Sequence, residues 1–181
     1  MMLEVADERL GDVDSDPIVA GRVTTSSRIR RDHAELLLLA LSLSKMAHEE
    51  IEKLDAELPN DPDAVAKTDK QRELLRIFAE GFDRIATAIA AFAARPNEPV
   101  LLGRAGDVVN SVGDQVTRWW KQNGTEVVDW AMRLPVLAGG IAALGWAGAN
   151  MAIGTTAVAA LVGGEKVLKV IRGRKKRSDA A

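Results

Sequence analysis

Cysteine and tyrosine are absent from these 181 residues, and histidine occurs only twice. Without thiols there is no disulfide, no thiolate metal site and no cysteine nucleophile. Without phenols, and with imidazoles only at His33 and His48, most of the side chains that run acid–base or metal chemistry near neutral pH are missing. No Glu-x-x-His pair of the kind that builds di-metal centres in helical bundles occurs. His48 and Glu52 stand four apart on one helical face, a spacing typical of a solvated surface pair. Ser and Thr cluster at 24–27 and 42–44, but no His and carboxylate accompany them at an interpretable spacing. "LLGRAGD" and "GGEKVLK" lack the strand–loop–helix setting that lets glycines cradle phosphate. The expectation is a protein that is not an enzyme and holds no cofactor or metal.

Charge is missing from one long stretch. Leu134 to Gly164 is a run of 31 residues without Asp, Glu, Lys or Arg. Before it, residues 1–133 carry 17 basic against 24 acidic residues, a net of −7. After it, residues 165–181 carry seven basic against two acidic residues, a net of +5. An acidic body, an apolar band and a basic end are hidden inside an overall charge of −2. The N-terminus is acidic and lacks the apolar core of a signal peptide, so the expectation is that residues 1–133 stay in the cytosol.

Residues 1–24 have no clear period and read as a mobile arm. From Ser26 or Ser27, either of which can cap a helix start, Leu36, Ala40, Leu43, Ala47, Ile51, Leu54 and Leu58 recur at steps of three and four. That is one apolar stripe on a helix of about 30 residues. Leu37, Leu38, Leu39 and Leu41 widen the stripe early. Pro59 ends this helix, Asp61 can cap the next, and Pro62 suits its first position. In the second helix Leu75, Phe78, Phe82, Ile85, Ile89 and Phe92 form a heptad-like seam. Two long helices joined by a short break predict an antiparallel hairpin over 25–95, with its seams paired inside the chain, with a second copy or with a partner protein. Val108, Val109, Val112, Val116, Trp119 and Trp120 fit a third helix, weakened by Gly103, Gly106 and Gly113. Trp119 and Trp120 are adjacent and therefore about 100° apart on a helix, so one can enter the core while the other faces outward near an interface. "QNGT" (122–125) reads as a turn or kink, with Thr125 capping a short piece that leads to Pro135.

The uncharged band is longer than one span needs. As a single helix it would reach roughly 46 Å, against a ~30 Å hydrocarbon core. Its nine Leu, Ile and Val residues favour insertion by about 3–5 kcal/mol, offset in part by its seven glycines, Pro135, Asn150, Thr155 and Thr156. Gly148, Ala152, Thr156, Ala160 and Gly164 stand at steps of four, a small-residue ladder that lets helices approach closely in lipid. Basic residues flank both sides, which favours the cytosol for both flanks; a hairpin turning at "GWAGAN" (145–150) satisfies this and a single span does not. Three placements stand open: a single span, a membrane hairpin, and a hairpin buried in a water-soluble bundle.

Lys169, Arg172, Arg174, Lys175, Lys176 and Arg177 follow the band directly and suit contact with anionic lipid. Nucleic acid is not the expected partner, because the rest of the chain is acidic. The sequence thus predicts an all-α, membrane-associated protein: an arm over 1–24, a cytosolic helical domain over 25–133, a membrane segment over 134–164 and a basic tail over 165–181. Its expected partners are an anionic bilayer and further copies of itself, with pore formation as the strongest version. A membrane-tethered adaptor that binds another protein is the alternative.

Overall fold

A computed structural model describes residues 17–57, 59–131, 134–149 and 151, the side chains of 17–24 and 124–131 excepted. The described residues form four helices and no strand: α1 (Pro17–Ala56), α2 (Pro62–Ala94), α3 (Pro99–Ala131) and α4 (Pro135–Trp146). All four begin on a proline, whose fixed φ is already helical and whose missing N–H would have no intrahelical partner there. At α2 the predicted cap is present, with Ala64 N–H donating to Asp61 Oδ2 at 3.2 Å.

The first three helices run up, down and up. Arg72 near the start of α2 donates to Asp55 near the end of α1 at 2.7 Å, and to Asp69 on its own helix at 2.6 Å. Its side chain is only 14% exposed, so the guanidinium closes the α1–α2 corner while its stem packs. At the other end of the hairpin His33 of α1 meets Phe92 of α2 edge to face at 5.8 Å. The antiparallel hairpin is thereby established, and α3 joins it as a third long helix.

Three local expectations change. α1 starts at Pro17, so Ser26 and Ser27 lie inside it, and it is interrupted at Asp32 (φ −119°, ψ 21°). Beside the break, His33 Nδ1 lies 3.3 Å from the Arg30 carbonyl, a local side-chain contact of the kind that competes with the helical ladder. "QNGT" is not a turn: α3 passes through it, and Asn123 Nδ2 donates back to the Trp119 carbonyl at 3.1 Å instead of turning the chain. Trp119 and Trp120 are both buried, at 3% and 8% exposure, because α3 packs on more than one neighbour and so offers no free face to either indole.

The seam on α2 is filled within one chain. Leu75, Phe78, Phe82, Ile85, Ile89 and Phe92 are all buried, with Phe78 and Phe82 stacked at 5.8 Å. On α1, Leu36, Leu39, Ala40, Leu43 and Ala47 join them, whereas Leu41 is 52% exposed. Truncating a buried Phe of this kind costs about 3–5 kcal/mol.

α4 ends in a Schellman cap. Ala149 N–H donates to Leu144 O at 2.9 Å and Gly148 N–H to Gly145 O at 3.1 Å, with Gly148 in the left-handed region at φ +87°. A Cβ there would also stand 3.2 Å from the Thr25 backbone. Gly148→Ala is therefore expected to lower stability by about 1–3 kcal/mol, measured by urea denaturation followed by circular dichroism. An unchanged midpoint would show that this cap does not hold α4 in place.

Candidate functional site

The first part of the uncharged band lies inside the bundle. Nine consecutive residues of α4, Val136 to Leu144, are all buried. Nine residues make two and a half helical turns, so α4 is covered on every side and not along one stripe. It packs on α1, α2 and α3. Gly140 makes the approach to α2 possible: a Cβ at that position would run into the Phe78 ring and lie 3.2 Å from Phe82. The small residues that suit close packing in lipid are used here for close packing within the protein.

The band is also divided. α4 has 12 residues, about 18 Å, and among the described residues no helix is long and apolar enough to cross a membrane. A single continuous helix over 134–164 is ruled out by the left-handed Gly148, which places the break where "GWAGAN" predicts it. Gly148 consequently leaves the proposed ladder. It caps a helix, and its carbonyl accepts from the Thr25 hydroxyl at 2.7 Å. Ala152, Thr156, Ala160 and Gly164 lie outside the described residues, as do Lys169, Arg172, Arg174, Lys175, Lys176 and Arg177.

Sequence spacing does not reveal the polar cluster that joins α1 to α2. Ser44 and His48, four apart on α1, converge on Asp83 of α2. Ser44 Oγ donates to Oδ1 at 2.6 Å, and His48 Nε2 stands 3.2 Å from Oδ2. His48 thus faces Asp83 across the hairpin and not Glu52 along its own helix. The only sequence signal is the Ser44–His48 spacing, and the carboxylate becomes their neighbour only when the hairpin closes. The order of groups matters chemically. In a nucleophile triad the imidazole stands between hydroxyl and carboxylate and takes the hydroxyl proton. Here the carboxylate stands in the middle, so the serine proton points at a weak base and the hydroxyl is not activated. The cluster fastens two helices. Among the described residues no group of three His, Asp or Glu is placed to hold a metal ion.

The Ser44 hydrogen bond, opposed by burial and assisted by His48, holds the Asp83 carboxyl below its ordinary value of 3.8. A carboxyl with a lowered pKa in the folded state stabilises the fold above its unfolded value. That contribution is lost as pH falls through the folded value. Asp83→Asn is thus expected to destabilise the protein at about pH 7 and to make little difference at about pH 3. Urea midpoints of both proteins at the two pH values check this; an equal gap at both would show that the charge of Asp83 is not what joins the helices.

On the opposite flank of α2, a groove of about 430 Å³ runs along the junction with α3, between Ala88 and Ala91 on one side and Leu101 and Val108 on the other. Arg84 and Arg104 stand at its edges.

Comparison with protein-family models, with curated proteins and with solved structures finds no match.

Proposed function

We propose that this is a non-enzymatic helical protein that associates with anionic membranes through the chain beyond α4, while the four helices form the body it carries. The observation that supports this reading is the place where the bundle stops using the band. Val136 to Leu144 are taken up as core. The uncharged run then continues to Gly164, and seven basic residues follow within residues 165–177. An apolar run followed directly by a basic cluster matches the two-signal logic of membrane anchoring, in which burial of apolar surface and attraction to anionic headgroups act together. The α2 seam is consumed inside one chain, so self-association in this reading rests on Ala152, Thr156, Ala160 and Gly164. Pore formation is its strongest version. In the adaptor version the body binds another protein and the band only anchors it.

A second reading, a helical bundle with no membrane role, is favoured by one observation: α4 is core on every side.

Co-sedimentation with vesicles separates the two readings. The full chain is expected to bind vesicles containing anionic lipid and not neutral ones. Replacing Arg174, Lys175, Lys176 and Arg177 with Gln should weaken binding by about 100-fold or more, at about 1 kcal/mol per basic residue. No sedimentation with anionic vesicles would support the second reading. Dye release from the same vesicles tests the pore version, which fails if the protein binds without release.

A further inference from the structure

We infer that the groove between α2 and α3 binds a free single-chain amphiphilic anion, an alkyl carboxylate, with its chain along the groove floor and its headgroup on Arg84 and Arg104. This site is separate from the C-terminal membrane segment.

The groove exists because α2 presents only methyl groups, Ala88 and Ala91, where α3 presents Leu101 and Val108. These four side chains leave the space between the helices unfilled and give it an apolar floor. Its volume of about 430 Å³ falls within the ~300–1,000 Å³ typical of small-molecule pockets.

The polar groups at its margin select the sign of the ligand. Arg104 is exposed and has no acidic partner among the described residues. Arg84 Nη2 donates to the neutral Gln115 side chain at 3.0 Å, a bond that leaves its charge uncompensated. Asp83 also borders the groove, but both of its oxygens are engaged toward α1, by Ser44 and by His48. Thr87 spends its hydroxyl proton on the Asp83 carbonyl at 2.9 Å. Two guanidinium groups beside an apolar trough match a ligand with one anionic head and an unbranched apolar body. Guanidinium is suited to this role because it offers paired donors to a carboxylate and is less strongly hydrated than an ammonium.

Isothermal titration of the full chain with dodecanoate, below its micelle concentration, tests the assignment. Dodecanoate is expected to bind one to one; dodecanol and acetate, which lack the head or the chain, are expected to bind at least about tenfold more weakly. Arg104→Gln and Arg84→Gln should each weaken dodecanoate by about tenfold. Ala91→Leu should abolish binding by filling the trough, with helicity and the thermal midpoint recorded to show that the bundle is intact. If Ala91→Leu disturbs the fold, Ala88→Met serves in its place. Binding that persists in folded Ala91→Leu, or that dodecanol matches, overturns the proposal. So does a loss of vesicle binding in Ala91→Leu parallel to the loss of dodecanoate, which would make bilayer lipid the ligand. Vesicle binding that fails while dodecanoate binding holds would count against the membrane reading alone.

Discussion

A helix with no polar face is stable in water only if every side of it is covered. That constraint governs this molecule. Val136 to Leu144 offer no stripe that solvent could wet, so the bundle must close around them. The long amphipathic helices supply apolar faces that meet this need: the α2 seam, the Leu36–Ala47 stripe of α1 and the valine and tryptophan side of α3. α4 is short and rich in small residues, which lets it sit close to its neighbours. At Gly140 the fit leaves no room for even a methyl group beside the Phe78 ring. Interiors this dense tolerate little change in volume.

Polar chemistry is arranged around that core to set helix alignment. Arg72 closes one end of the α1–α2 hairpin against Asp55 and Asp69, and the Ser44–Asp83–His48 cluster fixes its middle. Thr25 holds the end of α4 through the Gly148 carbonyl. Surface ion pairs contribute little energy individually; Arg72 differs in having a mostly buried side chain, and Ser44 in being buried at 4% exposure. Such contacts cannot replace the core, but they choose one alignment of long helices that could otherwise slide by a turn.

Where the surface departs from this pattern, its chemistry is directed outward. The alanines of α2 leave a trough beside α3, and two arginines at its edge carry charge that no carboxylate among the described residues neutralises. Beyond Gly148 the chain continues uncharged and then basic. Both features pair apolar surface with positive charge, the combination that suits amphiphilic anions, whether as single molecules or as a bilayer.

Much of the bundle was legible in residue order. The six-residue α2 seam, the early stripe of α1, the Asp61 cap with Pro62 behind it and the break at "GWAGAN" follow from periodicity and backbone preference, which are local properties. The course of α3 through "QNGT" was not legible, because packing and the Asn123 side-chain bond outweigh the local preference of Asn-Gly for a turn. Nor was the burial of Trp120, since a sequence period shows which face is apolar and not how many neighbours cover it. The sequence by itself determined that 31 residues must avoid carrying charge into whatever surrounds them, and that long amphipathic helices precede them. Only the tertiary structure decided that nine of those residues are surrounded by protein, and that Ser44, His48 and Asp83 meet. Periodicity encodes the need to be covered; what does the covering depends on contacts between residues far apart in the chain.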